Sequence, residues 1–189
     1  MRLVLATRNA HKAREFGALL APHEVATLAD DVELPPETGT TFAANALGKA
    51  RAAAAATGRL SFADDSGITS EALGGAPGVR SARFAGEHAS DADNLAKLMA
   101  QAPAGSALAY VCAIALVDPA TGGERLFEGR CTGRMAQEAR GTNGFGYDPC
   151  FLPDDLADGR TMAELTPAEK DAISHRGRAA EALRTHLGA

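Results

Sequence analysis

A basic excess, long apolar runs and paired cysteines are all missing from this 189-residue chain, and each absence removes a class of protein. The 24 acidic residues outnumber 19 Lys and Arg and are mixed with them along the sequence, for a formal charge of −5. The basic face that binding to polymeric DNA or RNA needs is therefore absent. No stretch approaches the roughly 18 uninterrupted apolar residues of a membrane helix. The first residues lack the charged start, apolar run and small-residue cleavage site of a secretory signal, so the expected location is cytoplasmic. Cys112, Cys131 and Cys150 are odd in number and far apart, with no Cys-x-x-Cys pair and no His-x-x-x-His spacing to complete a zinc set. They are expected to be reduced and structural, which leaves only a carboxylate-held hard cation open as a metal site. No serine or cysteine pairs with a histidine in a recognisable elbow, which argues against covalent acyl chemistry.

What is present is a chain 46% hydrophobic, with no repeats or low-complexity segments, long enough to bury its own core as one domain spanning 1–189. Arg2 to Ala6 reads as a buried strand and is followed by a polar turn and a helix through Leu20; Val25 to Leu28 reads as a second strand. A helix from about Thr41 to Thr57, closed by Gly58, carries the alanine run Ala52 to Ala56, which suits close packing in an interior. Leu60 to Ala63 is a strand that delivers Asp64 and Asp65 to a glycine-rich loop. Ser90, with Asp93 at the capping-box position, starts a further helix. Ala107 to Val117 and Glu124 to Thr132 make a long hairpin, and Thr166-Pro-Ala-Glu169 is a helix start. Strands and helices mix throughout, so the fold class is α/β (mixed α+β) around a mixed sheet.

Candidate chemistry clusters at four places. Asp64 and Asp65 sit before five glycines, Gly67, Gly74, Gly75, Gly78 and Gly86, which suggest a shaped surface. Neighbouring side chains in an extended segment point to opposite faces, so one carboxylate can face a site while the other turns to supporting structure. Lys12 lies in a first helical turn with the backbone N–H groups of the helix start, a combination suited to phosphate, although on its own it reads as a surface lysine. Phe145 and Tyr147, flanked by glycines, either present ring faces to a planar ligand or anchor a loop into the core. Ser174, His175 and Arg176 are three donors near a helix start, and Glu37 is a loop acid without a local partner. Cations at Lys12, Lys170 and Arg176, oxygen ligands at Asp65 and Glu37 and an aromatic pair together describe a nucleoside polyphosphate site.

The blocks Leu5-Ala-Thr-Arg-Asn-Ala-His-Lys12, Asp64-Asp-Ser-Gly67, Gly75-Ala-Pro-Gly-Val-Arg-Ser-Ala-Arg83, Gly144-Phe-Gly-Tyr-Asp-Pro149, Ala163-Glu-Leu165 and Ile173-Ser-His-Arg176 resemble, in order and over essentially the whole chain, the signatures of the inosine/xanthosine triphosphate pyrophosphatases. The resemblance implies an elongated, two-lobed α/β subunit of a homodimer, with a central cleft, that hydrolyses ITP, dITP or XTP to monophosphate and pyrophosphate using Mg²⁺. It makes Asp65 the proton acceptor for water and Glu37 a metal ligand sharing the ion with Asp65, with Asp64 in a supporting or secondary metal role. It assigns Thr7, Arg8, Asn9, Lys12 and Ser66 to phosphate or sugar, Phe145, Gly146, Tyr147, Asp148 and Lys170 to the nucleotide pocket, and Ser174, His175 and Arg176 to the purine side. Arg8, Arg80, Cys150 and Asp171 depart from the usual residues of that family. The competing readings are a pyrophosphatase for modified pyrimidine nucleotides, as the Maf-like enzymes are, and a nucleotide-binding protein without turnover.

Overall fold

In a computed structural model describing residues 1–188, alternation along strand β1 (Arg2–Leu5) sets up the first of two compact units. Leu3 and Leu5 fall in one apolar cluster, and Val4 with the following Ala6 in another. Helix α1 (Ala10–Leu19) and the C-terminal helix α5 (His175–Leu187) cover the first face through Phe16, Ala179, Ala180 and Leu183. Helix α2 (Phe42–Thr57) covers the second through Ala46, Ala50, Ala53 and Ala54. The alanine-rich sequence of α2 is thus a core face, where small side chains let the helix approach the sheet closely.

Strand β2 (Glu24–Thr27) runs parallel to β1, as does the start of β3 (Ser61–Ser70). Strands β4 (Ala107–Asp118) and β5 (Gly123–Met135) follow, and β6 (Phe151–Pro153) is antiparallel to β5. The six-stranded sheet has the order β2-β1-β3-β4-β5-β6 and is mixed, as the element pattern predicts. Unit 1 takes Met1–Asp65, Cys112–Gly129 and Arg176–Ala189; unit 2 takes Ser66–Val111 and Arg130–His175. The core of unit 2 gathers Ile68, Leu108, Tyr110, Met135, Phe151 and Met162 with Leu98 of α3 (Asp91–Gln101).

Local chemistry ends the helices where the sequence predicts. Thr41 caps α2 by accepting from the Ala44 N–H at 3.1 Å, and Gly58 at φ 63° closes it. Reciprocal capping boxes start α3 at Ser90 with Asp93, and α4 (Pro167–Ile173) at Thr166 with Glu169; each cap is worth about 1 kcal/mol. Strand β3 differs from expectation. The glycine-rich loop was expected directly after Asp65, but the strand continues through Ser66 and Gly67 to Ser70, so both aspartates are mid-strand. Gly67 is needed for space and not for turning: a Cβ there would collide with Ser81 Oγ and lie 2.7 Å from the Gly78 carbonyl. Gly74, Gly75 and Gly78 do take positive φ, in the loop that begins only after Ser70.

Candidate active site

Asp64 and Asp65 are adjacent on β3 and buried, and alternation sends them to opposite faces with opposite electrostatics. Asp64 shares its side with α1 and α5. Its Oδ2 accepts from Lys12 Nζ at 2.8 Å, lies 3.6 Å from the Arg176 guanidinium and takes a weak Cys112 thiol contact at 4.0 Å. Burial alone would raise its pKa, but Lys12, Arg176 and Lys49 outweigh that and hold the carboxyl well below the usual range. Burial and the Asp64 charge push the Cys112 thiol up to about 12, so this cysteine stays a protonated, inert donor.

Asp65 shares its side with α2. Its Oδ2 accepts from Asn45 Nδ2 at 2.8 Å. Burial raises its pKa and the Glu37 charge adds to that, against the opposing Asn45 hydrogen bond and the Lys49 and Lys12 charges. Lys49, one turn along α2 from Asn45, donates to Glu37 Oε1 at 2.5 Å and to the Asp64 carbonyl at 2.7 Å. The two carboxylates are thus pushed in opposite directions, Asp64 toward the anion and Asp65 toward the protonated form, the kind of separation that acid–base chemistry uses.

The second cluster belongs to unit 2 and centres on Asp148, which is 2% exposed. Asp148 Oδ1 accepts from the Tyr110 hydroxyl at 3.0 Å, and Oδ2 accepts from Lys170 Nζ at 2.8 Å and from the Phe145 N–H at 2.9 Å. The Lys170 ammonium also lies 4.9 Å from the Phe145 ring centroid, and the His175 ring stacks on Tyr110 at 4.6 Å with 7° between planes. Gly144, at φ 73°, leaves the room Asp148 occupies, because a Cβ there would overlap the carboxylate. Gly146 donates its N–H to Asp91 at 3.1 Å.

Residues 3–186 match the model of the Ham1 family. The chain belongs to the Ham1 family. It is 52% identical over 184 residues to a protein of Symbiobacterium thermophilum named dITP/XTP pyrophosphatase, covering 94% of this chain and 90% of the relative. It is 50% identical over 192 residues to one of the same name from Mycolicibacterium paratuberculosis, covering 96% and 93%. A solved Ham1 protein from Coxiella burnetii superposes with a TM-score of 0.87 at 42% identity, covering 99% of this chain and 98% of that one.

In this Ham1 chain several residues expected to contact ligand also bond within the protein. The Arg8 guanidinium donates to the carbonyls of Leu28, Ala29, Asp30 and Val32, at 3.1, 3.0, 3.3 and 2.5 Å, so it clamps the loop after β2. Changing it in R8S should speed amide exchange across residues 28–32 by about tenfold, the scale of one net hydrogen bond, with the exchange of β1 unchanged. Asn9 spends its side-chain oxygen capping α1, accepting from the N–H groups of His11 and Lys12 at 2.9 and 3.2 Å, and Thr7 Oγ1 accepts from the Asn9 N–H at 3.1 Å. The N–H groups of the α1 start expected to meet phosphate are therefore partly satisfied within the turn. Tyr147 is 5% exposed and its hydroxyl donates to the Ser81 carbonyl at 2.6 Å, the contacts of a loop anchor. Arg176, expected on the purine side, is 2% exposed in unit 1 and donates to Glu15 at 2.5 Å as well as facing Asp64. Ser66 is half-buried on β3, Ser174 is buried between α4 and α5, and Arg80 is exposed.

Asn45 and Lys49 were not anticipated. The signal available was a polar pair at i, i+4 on the alanine-rich face of α2, where burial forces each polar group to find a partner. Tyr110 offered no local signal inside an apolar strand. For a metal, the donor set around Asp65 is carboxylate oxygen from Asp65 and Glu37, whose charges interact. That set fits a hard cation which keeps several waters and uses one or two carboxylates with substrate phosphates. Among the described residues, no group of three or more His, Cys, Asp or Glu side chains is placed to hold a metal. Nor is any helix long and apolar enough to cross a membrane.

Proposed function

We propose that this chain hydrolyses dITP and XTP, and ITP with them, to the nucleoside monophosphate and pyrophosphate, and so removes non-standard purines from the nucleotide pool. The observation that carries the reading is the split between Asp64 and Asp65, in a chain whose relatives at about half identity are named for that reaction. Asp65 orients a water and takes its proton as the water oxygen bonds to the α-phosphorus, and the bond to the departing pyrophosphate breaks. Lys49, which bridges Glu37 and the Asp64 carbonyl, supplies positive charge near that carboxylate, and Lys12 supplies it from the Asp64 side. Mg²⁺, held by Asp65 and Glu37, would supply charge neutralisation on the phosphate oxygens. Asp64 stays ionised and holds Lys12 and Arg176 in place.

By the family resemblance, purine choice belongs to Ser174, His175 and Arg176. His175 or Arg176 donates to the carbonyl at purine position 6, and Lys170 and Phe145 share Asp148 in unit 2. Adenine puts an amino group there, and donor facing donor costs about 1 to 3 kcal/mol. The homodimer carries over from the family resemblance, and a sizing column tests it.

Pyrophosphate release from a panel of triphosphates, with and without Mg²⁺, tests the function. The expected order is dITP, ITP and XTP well ahead of ATP, by about 5- to 150-fold in kcat/KM if the position-6 contact alone discriminates, with GTP intermediate or poor. A preference for ATP overturns the reading, and a preference for dTTP or modified UTP moves the chain to the pyrimidine class.

A further inference from the structure

Two bridges join the Glu37 loop to the aspartates of β3, and both start on α2. One is Lys49, between Glu37 and the Asp64 carbonyl. The other is Asn45, 5% exposed, whose Oδ1 accepts from the Gly39 N–H at 2.7 Å while its Nδ2 donates to Asp65 Oδ2 at 2.8 Å. The amide has no choice of orientation. A backbone N–H can only donate, so the atom facing Gly39 must be the oxygen, and the NH₂ is then aimed at a carboxylate that accepts it. Gly39 records the same constraint from the other end. Its φ is not in the positive region, yet a Cβ there would lie 2.6 Å from Asn45 Oδ1 and 3.0 Å from the Ala44 Cβ. The glycine is required because the Asn45 side chain is there.

We propose that Asn45 is a positioning residue for the hydrolysis: through one side-chain amide it fixes the rotamer of the Asp65 carboxylate and its register with the loop that carries Glu37. This rests on the reading of Asp65 as the group that handles the attacking water. Asn45 itself touches no reacting atom. Its contribution is to remove the freedom of a carboxylate whose useful orientation is a small fraction of those open to it, and partners of this kind are typically worth about 10- to 100-fold.

Three variants of the full chain separate the parts. N45D keeps an oxygen for the Gly39 N–H but loses the donor to Asp65; N45A loses both; G39A forces the side chain away from the loop. In each, kcat for dITP is expected to fall about 10- to 100-fold with KM within about threefold. By amide exchange, Gly39 should lose protection in N45A and keep it in N45D, which shows that N45D keeps the Gly39 link while it replaces the Asp65 donor with a second carboxyl. The G39A/N45A double variant should be no slower than the slower single one, because both changes break one bridge. Should N45A fold poorly, N45D and G39A carry the test. If N45D turns over dITP within twofold of the parent, or the losses in G39A and N45A multiply, Asn45 only fills space and the proposal fails. D65N distinguishes the two readings: if it is active, the role of Asp65 itself is wrong; if it is inactive while N45D is not, only the role of Asn45 is.

Discussion

Asp65→Asn is expected to lower dITP turnover by about 10² to 10⁴-fold, the usual worth of a positioned general base, in a protein that folds at least as well as its parent. The two halves of that expectation have one cause. Burial raises the Asp65 pKa, so at neutral pH the folded state carries a carboxylate that would be more comfortable in water. For a group whose folded pKa is raised, the ionised form weakens the fold above that pKa, and the penalty disappears once the proton is bound. Asparagine removes the charge, keeps the shape and can still present an oxygen to Asn45 Nδ2, so the melting temperature should stay level or rise. Activity should depend on pH in the same sense: a base must be unprotonated, so kcat/KM falls on acidification at a pH above the ordinary carboxylate value of 3.8. A D65N protein that retains parental kcat, or one that melts well below the parent, would sink this account.

Local interactions were legible in the sequence and distant ones were not. Thr41, Gly58, Ser90 and Thr166 mark helix ends correctly because capping is completed within a few residues, by atoms the sequence places next to one another. The end of β3 was misplaced because Gly67 reads as a loop glycine, while its reason for being glycine is Ser81, a residue on another segment. Tyr147 is undecidable from its own neighbourhood, since what buries it is a carbonyl 66 residues away. Arg176 is the extreme case: the residue that engages it, Glu15, is separated by 161 positions. Asp64 and Asp65 are conspicuous in the sequence as paired acids that follow an apolar stretch. The amide and ammonium that hold them, Asn45 and Lys49, lie in an alanine-rich helix, and nothing in periodicity tells a buried lysine from a solvated one.

The neighbouring substitution, Asp64→Asn, is expected to do the reverse of D65N and to damage the fold first. Asp64 is fully buried and its carboxylate faces Lys12 at 2.8 Å and Arg176 at 3.6 Å, cations whose side chains are 14% and 2% exposed. Creating such a cluster from solvated ions gains little, because desolvation consumes most of the attraction, but deleting one member leaves buried charge uncompensated at a cost of about 3 to 5 kcal/mol. Glu15 can still hold one side of Arg176, which places D64N toward the lower end. In a chain of this length each kcal/mol moves the midpoint by about 2 to 4 °C, so a drop of about 6 to 20 °C is expected. The pH dependence separates charge from shape. The folded pKa of Asp64 is depressed, so its contribution is complete above the unfolded value of 3.8 and is lost only as pH falls below that toward the folded pKa. The stability gap between parent and D64N, measured by denaturant titration, should therefore be constant from neutral pH down to about pH 5 and narrow in stronger acid. A gap under 1 kcal/mol at pH 7, or one that widens on acidification, would show that Lys12 and Arg176 do not depend on this carboxylate; two adjacent aspartates would then differ in exposure to chemistry without differing in what they do for the fold.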